Sequence, residues 1–140
     1  MSVTIGVVKK PESQLEVTKV INTEGLNGTI PYKLISENTI NENIVKASGG
    51  NLYSIIAIGL TNEVRFLKFF NKNTLPSWGE DLPIMTIPIP ANTQGAGLAI
   101  SFPDGINFDR GIVIGITAGS ADNNEDPIEA GDVIVNLIYA

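Results

Sequence analysis

From Leu52 onward the chain is a succession of short apolar runs, each cut off by glycine, proline or asparagine. That punctuation leaves the backbone little choice. A helix needs about ten or more residues with apolar positions recurring every 3.6, whereas these runs alternate and are rich in valine and isoleucine. They predict strands at residues 52–59, 64–71, 83–90, 97–102, 111–117 and 132–139, and the same alternation predicts earlier ones at 3–8, 15–21, 29–35 and 43–47.

Several positions carry finer expectations. Residues 52–59 and 64–71, joined by the turn 60–63, predict a β-hairpin. The first of these runs is apolar on both faces, with Leu52, Ile56 and Ile58 against Tyr53, Ile55 and Ala57, as in a central strand covered on both sides or touching a partner. In the second, alternation sets Val64, Phe66 and Phe70 against Arg65, Leu67 and Phe69, with Lys68 interrupting the first face. Phe66→Ala is accordingly expected to cost about 3–5 kcal/mol through lost burial. Pro88 and Pro90 donate no N–H and assign 83–90 to an edge or an exit, while 103–110 and 118–131 predict turns.

About eight to ten strands at this spacing point to an all-β fold, an antiparallel β-sandwich of jelly-roll type. A chain of 140 residues suits a single domain. Within it, residues 1–44 supply an N-terminal arm and the first strands, and 45–140 the main sandwich core.

Composition narrows the chemistry. The chain has no histidine and no cysteine, so it lacks the usual neutral-pH acid/base, the commonest metal ligand and the soft nucleophile. No cofactor is expected and the chain is not expected to be an enzyme. Nine Lys and Arg against fifteen Asp and Glu give a net charge of −6, and the basic residues form no stripe, which disfavours nucleic acid as a partner. The longest mainly apolar stretch, residues 52–60, falls far short of the ~20 residues that span a bilayer, so no membrane partner is expected.

Four local features invite a functional reading. Asp122, Asn124 and Asp126 have the one-three-five spacing of a calcium loop, but Pro127 stands where the EF-hand needs glycine and Val133 where it needs glutamate, so a solvated loop is expected and no metal. Gly95 and Gly97 could open a dinucleotide fingerprint, yet no third glycine and no helical pattern follow. Glu80 and Asp81 beside Trp78 have the acid-plus-aromatic character of a sugar site, without a second placed carboxyl. Trp78, on a proline- and glycine-bearing loop, is either an interface anchor or a cap on the sandwich.

Residues 45–55 (VKASGGNLYSI), 65–72 (RFLKFFNK), 83–90 (PIMTIPIP), 105–111 (GINFDRG) and 130–139 (AGDVIVNLIY) follow one another in a distinctive series. In that series the chain resembles a family of small tailed-phage virion proteins, similar to head-decoration or cement proteins, over about two-thirds of its length. The resemblance implies a β-sandwich that assembles as a homotrimer, binds the major capsid protein lattice and sits on the capsid surface after assembly in the host cytoplasm. It does not extend before Val45. There the alternation of Val3, Ile5 and Val7 suits strand addition to a neighbour, so these three residues and Trp78 are the expected interface positions. A tail, baseplate or fibre-attachment component fits the same residues, as does a carbohydrate-binding β-sandwich module.

Overall fold

The computed structural model describes residues 28–140. The strands expected at 3–8 and 15–21, and with them Val3, Ile5 and Val7, lie outside the described residues. Eight strands follow: β1 (Ile30–Ile35), β2 (Asn43–Lys46), β3 (Gly50–Gly59), β4 (Arg65–Asn71), β5 (Met85–Ile89), β6 (Ala96–Phe108), β7 (Ile112–Thr117) and β8 (Val133–Tyr139). They form two four-stranded antiparallel sheets, ordered β1-β8-β3-β6 and β2-β7-β4-β5. Among the described residues there is no helix. The chain switches sheet at every connection except β4 to β5, the winding of a jelly-roll sandwich.

The core forms because alternate residues on the paired strands are large and apolar. Leu52, Ile55 and Ala57 of β3 and Val133, Val135 and Leu137 of β8 face Leu67 and Phe69 of β4 and Ile112, Ile114 and Ile116 of β7, all with no exposed surface. Phe108 closes the end of the core against Phe69, their rings 6.2 Å apart and tilted. Burying each such side chain stabilises the fold by roughly 1.5–3 kcal/mol relative to leaving it in water.

The expected hairpin does not form. β3 pairs with β6 and β8, and β4 with β5 and β7, so residues 60–64 turn a corner between the sheets. Leu60 N donates to Asp132 O at 2.8 Å, and the Arg65 guanidinium donates twice to Asp132 Oδ2, at 3.1 Å from Nε and 2.9 Å from Nη2. Alternation reports which residues share a face; it carries no information on which strand lies alongside.

The turn expected at 103–110 is also displaced, because β6 runs on to Phe108. Between the pairs Ser54↔Ser101 and Leu52↔Ile106, β6 advances five residues while β3 advances two. The surplus forms a bulge at 102–105 that accommodates Pro103, whose missing N–H needs no ladder partner there. Gly105 turns it with φ of +78°, and a Cβ at that position would lie 3.0 Å from the Tyr53 ring. β5 is an edge strand and holds Pro88, as the prolines of 83–90 require.

On β4 the face of Leu67 and Phe69 is the core face, and Phe66 points the other way, half-buried. The large loss expected for Phe66→Ala therefore moves to its neighbour. Phe69→Ala should cost about 3–5 kcal/mol in urea denaturation at unchanged m-value, and Phe66→Ala roughly 1–2 kcal/mol. The reverse ranking would contradict the face assignment.

Candidate functional site

Sheet β2-β7-β4-β5 is covered on its outer face, and Trp78 is the centre of that cover. Lys68 of β4 and Gly115 of β7 are directly paired, and both point away from the core. The loop from Lys72 to Ile84 folds back over them and lays the indole on Gly115, where a Cβ would meet the ring at 2.7 Å. Glycine is what lets the ring approach the sheet. The indole stands edge-on to Phe70, with centroids 5.1 Å apart at 76°, and its Nε1 donates to the Glu42 carboxylate. Asp81 holds the loop in shape by accepting from Lys72 Nζ at 2.8 Å and from Ser77 N at 2.7 Å. Trp78 thus lies half-buried over the middle of the sheet, packed against β4 and β7 and bonded to the β1–β2 connection.

Lys68 has no exposed surface, an unusual condition for a lysine. Its Nζ donates to Ala121 O at 2.5 Å and lies 5.5 Å from the centroid of the Trp78 ring, a cation–π contact. Burial pushes its pKa down, and the Asp122 charge pulls against that shift. A lowered pKa is one condition for a lysine nucleophile. To reach it, however, a substrate would have to displace both the indole and the Ala121 carbonyl. What Lys68 does in this geometry is pin two loops, 72–84 and 118–126, to one strand.

The acidic loop folds around Asn124 rather than around a cation position. Asn124 Oδ1 accepts from Gly119 N at 3.0 Å and Asp126 N at 3.1 Å, while its Nδ2 donates to Asp126 Oδ2 at 2.9 Å. Among the described residues no group of three or more acidic side chains converges. Lys72 and Ser77 N hold the Asp81 carboxyl below its usual range, so it stays ionised and is a poor proton donor beside Trp78. Gly95 turns the β5–β6 connection with φ of +104°, and Gly97 lies within β6, so neither opens a helix.

The other sheet, β1-β8-β3-β6, has no such cover among the described residues. Its outer face is read from the register: Ile35, Ile134, Ile58 and Gly97 lie in one row, Lys33, Asn136, Ile56 and Ala99 in the next, and Pro31, Ile138, Ser54 and Ser101 in the third. Ile35 is 52% exposed and Ile56 44%. Lys33 is the one charge in these rows, on a chain of net charge −6. An isoleucine-rich sheet face with a single charge suits contact with another protein surface.

Of the expected interface positions the structure describes Trp78 alone, and it stands apart from this face, on the opposite sheet. The isoleucine face was legible in the two-sided apolar character of 52–59, but Leu52, expected beside Ile56 and Ile58, lies in the core with Ile55 and Ala57 because the register shifts between Leu52 and Ser54. Lys68 left a fainter trace, a single cation interrupting the Phe66 and Phe70 face. The roles of Glu42 and Gly115 left none, since both depend on residues more than 30 positions distant. No protein-family model, no curated protein and no solved structure matches the chain.

Lys68 gives the stability of the protein a defined pH dependence. Its folded pKa lies below the unfolded value of 10.5, so between the two the unfolded chain binds the proton more tightly, and stability rises with pH. Below the folded value both states are protonated and the burial penalty is complete. Lys68→Met removes the titrating group, so urea denaturation between pH 7 and 10 should show wild type gaining stability relative to the variant as pH rises. Tyr32, whose pKa is raised by burial and by Tyr139, acts only above its unfolded value of 10.0 and stays outside that window. Parallel curves for the two proteins would contradict the assignment.

Proposed function

We propose that this protein is a non-enzymatic structural component of a tailed-phage particle, a head-decoration protein that binds and stabilises the lattice of the major capsid protein. The observation that carries the reading is the outer face of β1-β8-β3-β6, isoleucine-rich and bearing Lys33 as its one charge on a chain of net charge −6. The resemblance of residues 45–139 to small virion proteins supports the capsid lattice as the partner of that face. The sandwich fold supports the reading in a second way, since a rigid two-sheet core presents a large sheet face without the ordering cost of a flexible binder.

In this reading the protein works by surface contact. Ile35, Ile56, Ile58, Ile134 and Ile138 give up solvent on binding, and each half-exposed isoleucine contributes a fraction of the ~25 cal/mol per Å² available from apolar burial. Assembly as a homotrimer multiplies weak contacts into avidity on a lattice of matching symmetry.

Purified protein should decorate emptied, mature phage heads at ordered lattice positions in cryo-electron microscopy. Ile56→Asp, an exposed substitution that leaves the core intact, should lower occupancy at least tenfold, on the order of the 1.4 kcal/mol that a tenfold change represents. Heads without ordered density would remove the decoration role. Density on tails instead would transfer the protein to the tail, and calcium-dependent binding on a glycan array would favour a carbohydrate module.

A further inference from the structure

A jelly-roll sandwich has four edge strands, and three of them here are protected. β1 contains Pro31 and Lys33, β2 has four residues with a register shift between Ile44 and Lys46, and β5 contains Pro88. Prolines, charges and short broken strands are the devices by which sheet edges avoid pairing with other chains. β6 differs. From Ala96 to Phe102 it reads AGLAISF, without proline or charge, and among the described residues its one strand partner is β3. This seven-residue stretch is an uncharged edge of the length that templates an added strand, and it ends at the bulge that holds Pro103 and Asp104.

Its two faces specify what kind of strand fits. Leu98 and Ile100 pair with Ala57 and Ile55, which face the core, yet Leu98, Ile100 and Phe102 stay half-exposed because nothing among the described residues lies beyond them. On the other face stand Gly97, Ala99 and Ser101, all small. The missing strand therefore carries apolar side chains on its core side and small residues on its outer side. Residues 3–8, VTIGVV, come near that pattern, with Val3, Ile5 and Val7 on one face and Thr4, Gly6 and Val8 on the other.

We propose that residues 3–8 of a second copy of this chain add as a strand to the open edge of β6, with Val3, Ile5 and Val7 packing over Leu98, Ile100 and Phe102. Reach is ample: residues 9–29 between that segment and β1 span up to ~70 Å when extended, about twice the ~35 Å width of a domain of this size. Topology favours a neighbour over the chain's own edge. β1 and β6 are the opposite edges of one sheet, so the direct route for a self-directed arm crosses that sheet. Crossing would press Lys9, Lys10, Glu12, Glu16, Lys19 and Glu24 toward the isoleucine rows and strip water from their charges. An arm directed outward leaves those residues in solvent. Arm-to-edge contact of this kind is head-to-tail and closes into a ring when the rotation permits, which accords with a trimer but does not require a phage head.

Hydrogen exchange on the purified full-length protein tests this without the particle, so its failure is separate from failure of the decoration reading. Alternate amides between Gly97 and Phe102 should be protected about tenfold more at high than at low protein concentration, in step with an oligomer seen by native mass measurement. Ile5→Asp should abolish that protection and leave a monomer with unchanged β7 exchange, while Glu12→Gln should keep both. Protection independent of concentration would place the chain's own arm on β6 and overturn the proposal. So would a monomer with fast exchange along 97–102, or protection that survives Ile5→Asp.

Discussion

Everything else in this protein depends on the face-to-face burial of two apolar sheet surfaces, β3 and β8 on one side and β4 and β7 on the other. With no disulfide available, the two sheets are held chiefly by the packing of about a dozen fully buried aliphatic and aromatic side chains. Such a core fixes which residues point outward as firmly as which point inward, because a one-residue slip in any strand would exchange the two sets. The outer faces are consequences of the inner ones. They are resolved differently on the two sheets.

On β2-β7-β4-β5 the outer face is closed by loops, and β7 is buried along its whole length as a result. Trp78 on Gly115, Lys68 on Ala121 and the Asp81 contacts make that cover a third layer with its own polar satisfaction. At the corner between sheets, Arg65 and Asp132 join the start of β4 to the start of β8, both nearly buried. Breaking such a pair by removing one partner strands a charge, so its weight lies in specifying the corner more than in net stability. On β1-β8-β3-β6 the outer face stays bare among the described residues, with Ile35 and Ile56 exposed.

The fold class was legible in the sequence because glycine and proline punctuation and β-branched alternation are local signals. The order of the strands was not. Residues 52–59 and 64–71 look like a hairpin from their own pattern, and the burial that separates them comes from β8, more than 70 residues away. Pro103 read as the start of a turn because a bulge and a turn share the same chemistry, and the resumed pairing of Ile106, Asn107 and Phe108 with β3 distinguishes them. Trp78 was visible as a singular residue, but its partners Glu42, Phe70 and Gly115 come from three separate elements. Lys68 was anomalous on an aromatic face, and the carbonyl that accepts its hydrogen bond lies 53 residues on.

A protein organised in this way presents surfaces, and its loops matter through the faces they cover or leave open. That organisation rests on one physical claim, that the loop layer carrying Trp78 is part of the same cooperative unit as the sandwich. Because Trp78 is the single tryptophan, its fluorescence reports that layer alone, while far-ultraviolet circular dichroism reports the sheets. In a urea titration followed by both signals, the two transitions should superimpose with one midpoint. A fluorescence transition that precedes the loss of sheet signal would contradict that claim, showing that the cover leaves Gly115 and Lys68 while the two-sheet core still stands.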